Sequence, residues 1–471
     1  NTIQGTNSYG GGFIRQSGVY RFTNTIIWHN QAISNPNIGG SYDHVTSNIG
    51  GDGATLDTDP LFVDMYGGDY RLSDHSPSIG TGTLEGAPTI DIDGNIRPQP
   101  DDTNPDMGAY ENALGERLTG ATYYVASAGS DSSNGQLSTP FRTIQHGVNA
   151  AWDGDTVIVY PGTYAGNVDF NNKSIVLASR ILESGDTTYI DSTIIEGVVL
   201  INADVDSTAL FSGFTITGDF TSRGLIISSD YNVMIEHIKV LGVGGVEVIN
   251  AVTTMHDVAV RHNSYQNGGG MYIVNSTVDL VNTVIDSNTT TSSYGGGVYI
   301  QQSTVTMDSV LITNNASDSE GGGIYSYNNS TISISNSSIN FNSTPSIGGG
   351  VFNGESCTLI LTNVHVDGNS ASYGGGLYNT GYYKATITSF DSNTASTHGG
   401  GIYSVSGNQN DIADTLYQCI ISNNQTFGNG GGIFLQDNQA LYAVNILVSD
   451  NIVGTEDTNG GQGGGVYAQN G

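Results

Sequence analysis

The stretch SSYGGGVYIQQSTVTMDSVLITNN, from Ser292 to Asn315, decides the fold. It opens on three glycines, an aliphatic residue and then Tyr299. The same beat returns with triplets beginning at Gly268, Gly295, Gly321, Gly348, Gly374, Gly399, Gly430 and Gly463, in steps of 27, 26, 27, 26, 25, 31 and 33 residues. The aromatic that follows is in turn Tyr272, Tyr299, Tyr325, Phe352, Tyr378, Tyr403, Phe434 and Tyr467. A second beat closes on asparagine, at Asn263, Asn288, Asn315, Asn342, Asn369, Asn393, Asn424 and Asn451. Between the beats, STVTMDS, STISISNS and CTLILTN alternate with the period of two that belongs to strands.

A repeat of about 26 residues built from strands is not a two-helix repeat, and the leucine-rich pattern is absent. A solenoid of β-coils fits, with equivalent residues stacked about 4.8 Å apart. Glycine then supplies a corner that needs positive φ or close backbone approach. Asparagine, at home in left-handed geometry, fills another corner and ladders its amide along the stack. In an alternating strand the aliphatic residue points inward and the aromatic outward. This predicts an exposed aromatic ladder from Tyr272 to Tyr467, able to brace coils, stack on sugars or dock another chain.

Bulk composition narrows the function. The 471 residues carry 12 Lys plus Arg against 44 Asp plus Glu, a formal charge of −32, which repels phosphate backbones and anionic lipid and argues against nucleic-acid partners. No apolar run reaches the length of a membrane span, so no direct membrane insertion is expected. Glycine, at 66 residues, is about double its usual share, but without a third-residue period the chain is not collagen. Cys357 and Cys419 lack the spacing or company of a zinc site and read as small buried residues.

The paired asparagine and glycine beats resemble the repeats of right-handed parallel β-helix surface proteins, including the polymorphic outer-membrane proteins and similar adhesins. Residues 123–164, YYVASAGSDSSNGQLSTPFRTIQHGVNAAWDGDTVIVYPGTY, are similar to the opening of secreted pectate-lyase-like β-helices. Thr139 is positioned to cap a helix with Pro140 at its first position and Phe141, Ile144 and Val148 on one apolar stripe. Such a helix would plug the open end of a solenoid. Upstream, DPLF, GDYRL, SPSIGTG, DIDGN and DMGAYE resemble the closing segment, labelled choice-of-anchor Q, of bacterial extracellular β-helix proteins.

These resemblances imply an all-β, right-handed parallel β-helix in which the end of one solenoid precedes the start of a second. Residues 1–48 read as the last coils of an upstream β-helix, with a triplet at Gly10 to Gly12 and a corner at Asn30. Residues 49–112 form the closing segment and 113–121 a linker. Residues 122–165 form the opening cap with its short helix, 166–267 irregular coils and 268–471 regular coils stopping mid-coil. The chain reads as a window cut from a tandem array.

Candidate chemistry is sparse. A polysaccharide lyase needs a Lys or Arg base and cationic groups for uronate carboxylates. Lys173 sits where β-helix openings place a structural lysine, Lys384 stands alone, and Arg223, Lys239 and Arg261 fall in neighbouring coils where a shared face is conceivable. His256 and His262 have no third ligand in view. No paired carboxylates recur with a companion base, and no nucleophile elbow or phosphate loop is present. Calcium is the one cofactor in play. Asp59, Asp64, Asp69, Asp91, Asp93 and Asp106 crowd among glycine and proline loops of the closing segment, against the alternative that DIDGN is a turn whose aspartates bond their own backbone.

The expected function is a non-enzymatic, extracellular, structural, fibre-forming or adhesive cell-surface element. Its expected partners are copies of itself or further modules end to end, and surface polysaccharide. The alternatives are a polysaccharide lyase or hydrolase with its active coils in 166–267, and a passive carbohydrate-binding module.

Overall fold

A computed structural model describes residues 13–14, 21–28, 38–39, 43–49, 59–65, 67–202, 205–405, 413–437, 439–454 and 461–469. The triplet at 10–12 and Asn30 lie outside the described residues. Contacts divide the chain into two compact units, Asn1–Ile158 and Val159–Gly471.

In the second unit each coil contributes to parallel sheets whose neighbours are one repeat apart. One sheet has twelve strands, from Val168–Asp169 to Val466–Ala468. A longer sheet takes two strands per coil, such as Thr304–Asp308 and Leu311–Thr313. A smaller one joins Ser370–Tyr373, Thr394–His398, Gln425–Thr426 and Ile452–Val453. The register keeps like on like: Met271, Val298, Ile324, Val351, Leu377, Ile402, Ile433 and Val466 stack in one file. All but Val466 are fully buried, and each buried aliphatic contributes about 1.5–3 kcal/mol. The core is therefore a set of columns inside the coil.

The triplet has two physical causes. Gly348 holds φ +71°, a left-handed corner costly to other residues. At Gly349 a Cβ would stand 2.4 Å from Gly375 O and 2.5 Å from Ser370 O, because the backbones of adjacent coils touch there. Between Val176–Ser179 and Thr193–Glu196 the irregular region interposes two short helices, Ile181–Ser184 and Thr188–Ser192.

In the first unit, strand Arg21–Ile27 pairs parallel with Asp43–Ile49, and Phe13–Ile14 with Ile38–Gly39, as stacked coils should. The repeat then gives way to an antiparallel hairpin, Phe62–Asp64 with Asp69–Leu72. The closing loops grip the coil through Asn24, whose amide donates to Thr83 O at 2.8 Å and accepts from Thr83 N at 2.7 Å. The 113–121 stretch is pinned rather than loose. Leu118 N donates to Asp74 O, and Arg117 pairs with Asp155 at 2.6 Å.

The opening helix is Ile144–Ala150, capped by Thr143 and not by Thr139. Phe141 is held in strand-like pairing with Tyr124 and Ala126. Asp131 takes the N–H groups of Arg142 and Thr143, so residues 139–142 are committed before the helix begins. Ile144, Gly147 and Val148 form its buried face, and Phe141 reaches the same core from outside the helix.

Candidate functional site

The aromatic that follows each triplet builds one continuous column. Tyr272, Tyr299, Tyr325, Phe352, Tyr378, Tyr403, Phe434 and Tyr467 stack face to face, with successive centroids 5.0, 5.3, 4.8, 5.7, 4.8, 4.9 and 5.4 Å apart. The expected exposed ladder is corrected by burial. Tyr299, Tyr325, Phe352, Tyr403 and Phe434 are buried, and Tyr272, Tyr378 and Tyr467 are half-buried. The rings do point away from the lumen, but each covers the faces of its neighbours. At three triplets the residue just before closes the side: Tyr294 stacks on Tyr325, His398 on Phe434, and Tyr373 meets Tyr403 edge-on. Burial pushes the Tyr299 phenol up to about 12 and raises those of Tyr325 and Tyr403 as well. Ring edges, not faces, meet solvent.

Arg223 ends this column. Its guanidinium lies 4.1 Å from the Tyr265 ring centroid and 5.3 Å from that of Tyr272, a cation–π contact strengthened by desolvation. It donates to the carbonyls of Gly244, Gly268 and Asn267 and pairs with Glu247 at 3.4 Å.

The asparagines form a second column, buried from Asn263 to Asn424 and half-buried at Asn451. Asn342 Nδ2 donates to Asn369 Oδ1 at 3.0 Å and to Ile312 O at 3.0 Å, while its Oδ1 accepts from Asn315 N and Nδ2. The same set repeats through Asn263, Asn288, Asn315, Asn369, Asn393 and Asn424 to Asn451. Every amide is spent on its neighbours, so the column holds coils together and offers nothing outward.

The cations do not converge. Arg223 is consumed at the ring column, Lys239 pairs with Asp191, and Arg261 opposes Leu241 and Asp286 in the register. A cleft of about 500 Å³ does open in the irregular coils, lined by Asn167, Glu196, Asp219, Thr221, Ser222 and Arg223 among others. The hydroxyl and N–H of Thr221 hold the Asp219 carboxyl below its usual range. His256 meets His237, unremarked in the sequence, rather than His262; both rings approach the Asp257 carboxylate, at 3.0 and 3.4 Å. Cys357 and Cys419 are free and buried.

In the closing segment the carboxylates serve the loops. Asp91 accepts from Asp93 N, Asn95 N, Asn95 Nδ2 and Glu111 N. Burial alone would raise its pKa, but these donors outweigh burial and lower it. Asp106 accepts from Gly80 N and Asn112 N, and burial pushes it up to about 7. Asp59 and Asp64 accept from Leu61 N and Gly67 N. Asp69 grips Arg71, which holds it down to about 2. The central ion pair, Arg97 with Glu111 at 2.7 Å, is buried. Among the described residues no cluster of three or more His, Cys, Asp or Glu side chains is arranged to hold a metal.

Residues 223–389 match the right-handed β-helix region, and residues 387–405 match the Chlamydia polymorphic membrane protein repeat. The chain thus contains a right-handed parallel β-helix, and one stretch of it carries a repeat of the polymorphic-membrane-protein type. No curated protein matches it. Similar solved structures include a pectate lyase, at TM-score 0.34 and 15% identity over 70% of this chain and 78% of that one. The A-module of a mannuronan C-5 epimerase from Azotobacter vinelandii gives 0.32 and 12% over 64% and 91%. A lacto-N-biosidase from Eubacterium ramulus gives 0.26 and 11% over 71% and 68%. Likeness at this level says nothing of chemistry in this chain. No helix among the described residues is long and apolar enough to cross a membrane.

Proposed function

We propose that the protein is an extracellular, non-enzymatic element of a cell surface, structural or adhesive, that extends lengthwise by coil-on-coil stacking. One observation carries this reading: the residues that repeat are the residues that stack. Glycine corners, asparagine amides and aromatic rings are each used up on the coil before and the coil after. Repetition here supplies length and stiffness rather than many copies of a reactive group. Any coil at the edge of such a stack is a template for another, whether from the same polypeptide or a second copy. The match to a polymorphic-membrane-protein repeat supports a surface location. Electron microscopy of native material tests the reading. Filaments or long rods are expected, and compact monodisperse particles would refute lengthwise growth.

A second reading, a carbohydrate-active enzyme, draws support from the cleft at Glu196, Asp219 and Arg223. Its chemistry is one-sided. The arginine is committed elsewhere, so the lining of the cleft offers two carboxylates and no free cation to hold a uronate carboxylate. Pectin, alginate and neutral glycans incubated with the protein should yield no unsaturated or reducing ends. Turnover lost in Glu196→Gln would establish the enzyme instead.

A further inference from the structure

The residue just before a glycine triplet can link two coils through a side chain as well as through backbone. Three corners share such a bond. Tyr294 N donates to Asn267 Oδ1 at 3.4 Å, Asn429 N to His398 Nδ1 at 2.9 Å, and Gln462 N to Asn429 Oδ1 at 2.7 Å. In each case donor and acceptor both stand just before a triplet, in successive coils. An asparagine Oδ1 accepts at any pH. An imidazole Nδ1 accepts only while it carries no proton.

The surroundings of His398 hold it in the unprotonated state. Its half-buried ring stacks on Phe434, centroids 4.8 Å apart, and lies 5.8 Å from that of Tyr373, its register partner in the coil before. The Gly428 backbone closes the Nδ1 edge, since a Cβ there would stand 2.5 Å from Nδ1 and 2.8 Å from Cε1. Turning the ring over would aim a C–H at Asn429 N and leave that donor unbonded. The titratable groups packed around it are phenols: Tyr373 against the ring, and Tyr403 against both Tyr373 and Phe434. Burial lowers the His398 pKa, with no carboxylate among the described residues to offset it.

We propose that His398 is an acid-sensitive catch between two coils, whose protonation breaks the bond to Asn429 and lifts the 427–429 corner off the stack. The added proton faces an N–H where an acceptor is needed. The face of Phe434 attracts an imidazolium, but it replaces neither the lost acceptor nor the water stripped from the charge. The folded pKa lies below the ordinary value near 6.5, so the contact contributes fully above about pH 6.5 and is lost as pH falls through the folded value. Mild acid therefore loosens this junction and uncovers Phe434, while the corners that use Asn267 and Asn429 as acceptors hold. The catch works in a lone chain as in a filament and does not depend on lengthwise growth.

The test is hydrogen–deuterium exchange of the full chain at about pH 7.5 and about pH 5, corrected for the intrinsic rate at each. Local exchange is read because buried Asp414, whose pKa burial pushes up to about 6, titrates over the same range and acts on the unit as a whole. At the lower pH the Asn429 amide should lose protection roughly tenfold, with the Gln462 amide unchanged. His398→Asn supplies the amide acceptor used at the other two corners and should keep Asn429 protected at both pH values. His398→Phe keeps a stacked ring without the acceptor and should leave Asn429 as open at about pH 7.5 as it is in the parent at about pH 5. Equal protection of Asn429 at both pH values in the parent, a loss shared equally by Gln462, or a loss that persists in His398→Asn would each overturn the assignment.

Discussion

The regular coils and the closing segment solve the same problem, burying polar groups without orphaning them, by opposite means. In the coils each amide of the asparagine column meets a copy of itself one repeat away, so Asn342 is satisfied by Asn315 and Asn369. In the closing segment each group has a unique partner: Arg97 has Glu111, and Asp106 has the N–H groups of Gly80 and Asn112. A columnar solution tolerates more length, because any added coil brings its own partners. A one-off solution ends the stack, because no further coil reproduces it.

Breaking the backbone contact of the coils should have the largest effect. Gly349→Ala puts a Cβ into the carbonyls of Gly375 and Ser370, which neither backbone can vacate. A loss of about 5 kcal/mol is expected, read as collapse of the second unit's thermal transition with the first unit's retained. Glu111→Gln sharpens the contrast from the other side. It leaves Arg97 buried without its counter-charge, costing about 4 kcal/mol, and it should lower the first unit's transition alone. If either variant moved both transitions together, the separation into columnar and one-off regions would be wrong.

Asn342→Ala comes next, at about 3 kcal/mol, since it strands Asn315 N–H, an Asn315 amide proton and Ile312 O inside the coil. Chemical denaturation of the second unit measures it. The smallest effect is a slope in pH. Asp414 is fully buried, and burial pushes its pKa up to about 6 even though Ser404, Tyr383, Gln439 and Asn379 all donate to it. A raised carboxyl favours folding when protonated. This stability is present below the unfolded value and lost as pH rises through about 6, a change of about 2 kcal/mol between pH 4 and 7. In Asp414→Asn the second unit's stability should vary less between pH 4 and 7; an unchanged slope would remove Asp414 as its source.

What the sequence discloses follows the same division. Gly348 and Asn342 are legible because period makes them visible: a single repeat would be noise, and eight are an architecture. The inward and outward sides of Val351 and Phe352 follow from strand alternation. Burial of the rings does not, because outward means exposed only where nothing lies above. Tyr294, Ile347 and Tyr373 supply that cover from a corner with no strict residue preference. Thr139 carried the expected capping chemistry, but Asp131, twelve residues before Thr143, fixes the loop so that Thr143 takes the role. Arg223 sits in coil contact with Tyr265 and Tyr272, a pairing that no local pattern marks. Neither does spacing announce Asp414 or the Arg97–Glu111 pair, each of which occurs once.

The repeated residues stack coils, and the length of the stack is therefore free to vary. That freedom is tested most directly by inserting a second copy of residues 321–347 in frame after Ile347. The copied coil brings its own Gly321 corner, Asn342 amide and Tyr325 ring, each meeting its own kind above and below. A folded protein is expected, whose second unit melts no lower than before and whose longest dimension in small-angle scattering of that unit grows by about 4.8 Å. A variant that unfolds, or melts well below the parent, would show instead that the coils are individually fitted and their number fixed.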